Sequence, residues 1–193
     1  IQVVPGAAPK QAEVVPPPPL TPEQLKTRAA ELTREGRRLY EEKRWPEAVL
    51  TLKKALTTDP IDFDAQDELD KAMVELEKAA SLEREMTAAT KYFGEADYAS
   101  ALTKFYRLQQ DHPEMKIFDA YIRNSWFNWG VTLLQAGVVD EAAEKFDEVL
   151  QIDSRDPQAA RAKEIAKRYH GRQRDKVFDT FANTMTLRAL DQS

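Results

Sequence analysis

Five positions recur three times at fixed offsets, and they limit what this chain can fold into more than any other property. Gly36 is followed by Leu39 three residues on, Ala48 twelve on, Leu52 sixteen on and Pro60 twenty-four on. Ala89, Tyr92, Ala101, Phe105 and Pro113 repeat those offsets. So do Gly130, Leu133, Ala142 and Phe146, with Ser154 where the proline stood. Small residues at fixed intervals mark places where two helices cross closely, and the large ones beside them fill the groove. The stretch from Ala29 to Asp62 therefore reads as two short amphipathic helices joined at a tight turn.

Bulk composition narrows the chemistry. The 193 residues are enough for one well-buried domain, with 28 Lys+Arg against 33 Asp+Glu. A net charge of -5 argues against a nucleic-acid binder, which carries a basic stripe on a basic domain. The absence of cysteine removes disulfides, thiolate nucleophiles and cysteine zinc sites, and leaves the compartment open, the cytoplasm being favoured slightly over a periplasmic or anchored setting. No apolar run approaches the roughly 20 residues that span a bilayer, so no direct membrane insertion is expected. The opening IQVVPGAAPK has no signal-peptide layout, and the expectation is an excised or processed piece of a longer protein.

The repeat resembles the tetratricopeptide motif, a 34-residue helix pair of this pattern. Leu32, Gly36, Leu39, Ala48, Leu52, Ala55 and Pro60 stand where that family places such residues. Trp126 and Trp129-Gly130 give the third unit a good first helix, whereas Glu85 weakens the second. The resemblance covers about residues 22–170 and implies an all-α helical-hairpin solenoid, an α-α superhelix. The expected repeat cores are 29–62, 82–115 and 123–156, with a cap at 157–170 and a C-terminal amphipathic helix over 171–193. The packing positions are Gly36, Ala48, Leu52, Pro60, Ala89, Tyr92, Ala101, Phe105, Pro113, Gly130, Ala142 and Phe146.

Unit spacing departs from 34. Gly36 to Ala89 is 53 residues and Ala89 to Gly130 is 41. Both excesses precede a first helix and read as lengthened first helices in repeats 2 and 3. Between Phe63 and Phe93 there is no Gly or Pro, and one continuous helix of about 45 Å is favoured over a break near Ser81. The extra residues before the third unit add about two turns over Lys116 to Ile122. Gly94, Gly137 and Gly171 suit left-handed C-terminal caps. Asp156-Pro157 opens a helix to about Tyr169. Phe178, Phe181, Ala182 and Met185 share one side of a final stretch.

Seven of the 11 prolines fall within the first 22 residues, so residues 1–21 read as an extended linker. PPPPL could instead serve a partner's aromatic groove. Thr21-Pro22-Glu23-Gln24 is a capping-box pattern where ordered structure should begin. His112 and His170 are isolated, and the acidic run from Asp59 to Asp70 lacks the central glycine and closing glutamate of a calcium loop. No catalytic, cofactor or metal residues are expected, and no phosphate loop or nucleophile elbow appears. The basic residues Arg161, Lys163, Lys167, Arg168, Arg172, Arg174 and Lys176 read either as a solvated face or as a dock for an acidic partner.

What the family resemblance implies is a concave surface lined by first helices that takes peptides or helices. Residue by residue it would hold Thr33, Arg37 and Tyr40, then Met86, Thr90 and Phe93, then Asn124, Phe127, Val131 and Leu134. Apolar residues there point to an amphipathic helix or peptide of another protein as ligand, and to a non-catalytic scaffold or adaptor. The chain's own final helix could equally fill the groove through Phe178, Phe181 and Met185. The alternative is a self-assembling homo-oligomer joined through residues 172–193.

Overall fold

A computed structural model of the chain describes residues 19–190. The proline-rich segment expected over residues 1–21 lies outside the described residues up to residue 18. Eight helices and no strand occur among the described residues: α1 (Pro22–Glu41), α2 (Trp45–Thr58), α3 (Phe63–Gly94), α4 (Tyr98–Asp111), α5 (Ile117–Ala136), α6 (Val139–Ile152), α7 (Pro157–Arg168) and α8 (Lys176–Thr184). The chain divides into two compact units, one ending at Glu77 and the next beginning at Lys78, with the division inside α3.

Helix α1 begins where its capping box predicts. The Thr21 hydroxyl accepts from the Gln24 amide at 3.2 Å, and the Gln24 side chain accepts from the Thr21 amide at 2.8 Å. Two otherwise orphaned donors are satisfied reciprocally, and Pro22 fits the first turn because it has no amide to lose. The α1–α2 hairpin packs Leu39, Ala48 and Leu52 with Leu69 and Ala72 of α3. Gly36 is required at the crossing: a Cβ there would stand 2.5 Å from Leu52 Cγ.

In the second unit one buried cluster gathers Ala89, Ala101, Phe105, Phe118 and Tyr121. Another gathers Phe127, Val131, Leu134, Phe146 and residues of α7 and α8. Gly130 repeats the role of Gly36, since a Cβ would meet Phe146 Cε1 at 2.8 Å. α3 runs 32 residues without interruption past Ser81, and α5 runs 20 from Ile117. The second helices α2, α4 and α6 are each 14 residues long.

The turns carry the repeat more faithfully than the side chains do. Seven residues past each crossing residue stand Lys43, Ala96 and Gly137, left-handed with φ of 60°, 59° and 83°. Their amides donate to Tyr40, Phe93 and Leu134 carbonyls at 2.9, 3.1 and 2.9 Å. The next amides, of Arg44, Asp97 and Val138, reach Leu39, Tyr92 and Leu133 at 2.9 Å in all three. This paired closure is the Schellman arrangement. Past the second helices, the amides of Asp62, Met115 and Asp156 donate to Asp59, His112 and Asp153 at 3.2, 3.0 and 3.2 Å. The three hairpins therefore match bond for bond, and the fold is all-helical, built of tetratricopeptide-like hairpins.

Three expectations need correcting. Gly94 is not a left-handed cap: it lies in the last turn of α3, and Ala96 takes the positive φ. The hairpin offset fixes where the chain reverses, and no glycine stands at that offset in the first two units. Pro60 and Pro113 do not pack; both are exposed, one residue past their helix C-caps, where a missing amide and fixed φ stop the helix. Of the C-terminal helix expected over 171–193, the described residues form helix only in α8, and residues 171–175 and 185–190 run without helix.

Candidate functional site

Within the second unit, α5 presents Asn124, Asn128, Val131 and Gln135 at spacings of four, three and four, which puts them on one helical face. Asn124 and Asn128 are buried, a position that amide side chains hold only with partners. Their partners come from the end of the chain. Asn128 Nδ2 donates to the Arg188 carbonyl at 2.8 Å, and its Oδ1 accepts from the Arg188 amide at 2.7 Å. Asn124 Nδ2 donates to the Ala189 carbonyl at 3.0 Å. Gln135 Nε2 donates to the carbonyls of Ala182 at 3.1 Å and Met185 at 3.4 Å. The amides thus grip main chain, giving partners to backbone groups of Ala182, Met185, Arg188 and Ala189 where the chain leaves the helix after Thr184.

α8 delivers that segment. The Asp175 carboxylate accepts from the Phe178 amide at 2.8 Å and from the Tyr169 hydroxyl at 2.7 Å, tying the helix start to the end of α7. Phe178 is fully buried against Tyr169, ring centroids 4.8 Å apart. Phe181 and Met185 are partly buried beside the same cluster.

One side chain of the segment is read as closely as its backbone. The Arg188 guanidinium meets the Asp156 carboxylate bidentately, Nη1 to Oδ2 at 2.7 Å and Nη2 to Oδ1 at 2.9 Å. Nη2 also donates to Gln158 Oε1 at 3.0 Å, and the guanidinium lies 3.5 Å from the Phe127 ring centroid. Asp156 is 7% exposed and caps α7, accepting from the amides of Gln158 and Ala159 at 3.1 and 3.0 Å. Burial pushes its carboxyl upward, but the Arg188 hydrogen bonds and those two amides outweigh it and hold it below the ordinary 3.8. Beside Arg188 and Ala189, which help to line it, lies a polar depression of about 490 Å³ whose wall also includes Arg123, Asn124, Asp153 and Arg155. At its edge Arg123 Nε and Asn124 Oδ1 are buried without a partner among the described residues.

The sequence-derived groove residues divide between the units. In the first, the Thr33 hydroxyl donates to Asp62 at 3.0 Å, Arg37 pairs with Glu68 at 3.1 Å, and Tyr40 packs on the hairpin core. In the second, Met86 and Phe93 flank the cluster around Phe105, and the Thr90 hydroxyl donates to the Thr87 carbonyl at 3.1 Å. Phe127, Val131 and Leu134 are buried in one cluster with Phe178 and Ala182 of α8. Of the expected lining, Asn124 and Phe127 meet at the Arg188 seat. Asn128, Gln135, Asp156, Gln158 and Arg188 escape a sequence reading. Amides at helical spacing were the one available signal, and Asp156 reads only as a cap. The basic run is largely engaged: Lys163 pairs with Asp147, Arg168 with Glu164, Arg174 with Asp179, and Arg161 lies 5.3 Å from the Phe181 ring.

No family model and no curated protein matches the chain. Among solved structures it is similar to the C-terminal TPR-containing domain of a Plasmodium falciparum protein described as FK506-binding. Identity is 18% over 79% of this chain and 94% of that one, with a TM-score of 0.26. The hairpin assignment stands on the three matching turns, not on this likeness.

Proposed function

We propose that the chain is a non-catalytic protein-interaction module, a scaffold or adaptor within a larger protein, that holds a segment of another protein against α5 and the start of α7. One observation carries this reading: three amide side chains on one helical face hold the main chain of a separate segment. Main-chain hydrogen bonding is how extended peptides gain affinity irrespective of sequence, while flanking pockets supply selectivity. The tetratricopeptide-like architecture supports the same reading, as hairpin repeats serve in general as protein-binding surfaces.

Panning a library of phage-displayed random 16-mers on the chain ended at Thr184, which no longer covers this face with its own segment and whose fold circular dichroism checks, tests it. A related set of sequences should emerge whose binding falls roughly tenfold or more on Asn128→Ala, the loss of two main-chain hydrogen bonds. If no set emerges, or if binding ignores Asn128→Ala, the reading is wrong.

A further inference from the structure

We infer that the pocket made by Asp156, Gln158 and Phe127 reads an arginine on an extended segment of another protein, and that residues 185–190 occupy this site in cis as an internal competitor. The inference rests on the proposed interaction function and specifies its ligand.

Charge and shape select the side chain. A carboxylate that takes both guanidinium nitrogens, an aromatic face 3.5 Å from the cation and a third acceptor at 3.0 Å suit arginine and fit lysine poorly. Lysine is a point donor that cannot make the fork. Asp156 is nearly buried, so the pocket without a cation would leave a desolvated carboxylate held only by backbone amides. The arginine is thus the central requirement for any occupant.

The backbone grip asks only that the ligand be extended where it passes Asn128, which engages both the amide and the carbonyl of Arg188. Asn124, four residues earlier on the same face, engages only a carbonyl, and its Oδ1 is buried without a partner among the described residues. The Arg123 Nε beside it is in the same state. These two groups stand at the polar depression that Arg188 and Ala189 themselves help to line, so a ligand seated there has polar groups to engage that the cis segment leaves unused.

Apart from its arginine, the cis occupant is held by the main-chain bonds from Asn124, Asn128 and Gln135 and by the partly buried Met185 and Leu190. Thr186, Leu187 and Ala189 are exposed, whereas Phe178 of α8 is fully buried. An incoming segment therefore displaces residues 185–190 while α8 stays docked.

The test uses the full chain and a fluorescein-labelled peptide copying residues 184–193, followed by fluorescence anisotropy. Arg188→Ala empties the pocket without touching α8. That variant should bind the peptide roughly tenfold or more tighter than the unaltered chain, and a peptide with alanine at the arginine should bind it at least roughly tenfold more weakly. Asp156→Asn in the Arg188→Ala chain should erase the difference between the two peptides. Circular dichroism establishes that each variant is folded. If folded Arg188→Ala binds both peptides alike, the arginine reading falls and peptide binding stands. If it binds neither, the segment is a fixed part of the fold and both readings fall. If light scattering shows the unaltered chain to be a dimer that Arg188→Ala dissociates, the pocket belongs to a second copy and the inference is overturned.

Discussion

Replacing Gly36 by alanine sets two known effects against each other, and the structure decides between them. In an exposed helix interior the change would stabilise by about 1 kcal/mol, since glycine is the poorer helix former. Here the new Cβ would stand 2.5 Å from Leu52 Cγ and 2.6 Å from Cδ2. Ordinary contact begins near 3.4 Å, so the helices or the leucine must yield by close to an ångström. Leu52 is completely buried, and its Cγ is a branch point that cannot swing aside as a chain end could. Overpacking of this kind costs about 1–3 kcal/mol, and so short a contact belongs in the upper part of that range, so after the propensity gain a net loss of up to about 2 kcal/mol remains. Urea denaturation of the two proteins measures it. A double-mutant cycle with Leu52→Ala isolates the clash, because the double variant should lose less than the sum of the singles. The middle hairpin shows what accommodation looks like, with Ala89 already facing a buried Phe105. A Gly36→Ala chain more stable than the parent would refute the close-crossing account.

The left-handed turn positions give opposite expectations. Lys43→Gly and Ala96→Gly should each stabilise by about 0.5–1 kcal/mol, since a side chain at positive φ is strained. Gly137→Ala should destabilise, because it adds that strain and brings a Cβ within 2.9 Å of Arg174 Nη1; thermal melts order the three. Removing the Asp175 cap with alanine should strip hydrogen-exchange protection from residues 176–184 while α5 and α6 keep theirs, and equal loss everywhere would contradict a separately anchored α8. Asp156 predicts the pH response. Its carboxyl is held below 3.8 in the fold, so its contribution is present above that value and is lost as pH falls through the depressed one. The stability gap between the parent and Asp156→Asn should therefore shrink between pH 6 and pH 3, and a constant gap would dismiss the ion pair.

Much of the hairpin architecture was legible in the sequence, because crossings demand small residues and small residues are visible. Gly36, Ala89 and Gly130 located all three hairpins, and the absence of Gly and Pro from Phe63 to Phe93 read as helix, which α3 is. The turns were less legible, since Lys43 and Ala96 adopt a conformation their side chains resist and are held there by bonds from both neighbours. A glycine search therefore settled on Gly94, two residues too early. The candidate site was the least legible part. An apolar stripe over Phe127, Val131 and Leu134 is visible at helical spacing, yet periodicity cannot say that α8 lies over it. Nor can it pair Asn128 with Arg188, sixty residues apart, when the partner of the asparagine is main chain. Asp156 announces a cap and conceals its second role, because the same carboxylate serves both.

The three hairpins also say where this chain tolerates change in length. From each crossing residue to the turn twenty-six residues later, every closing bond falls at the same count, so an insertion inside that span breaks a numbered connection. The leading portions of α3 and α5 lie ahead of it, and residues added there lengthen a helix without renumbering any of these turn bonds. Each hairpin is in effect a sealed cassette with an elastic leader. A lineage of such chains would diverge in steps of helical turns upstream of the crossings, while the cassettes themselves stayed the same length.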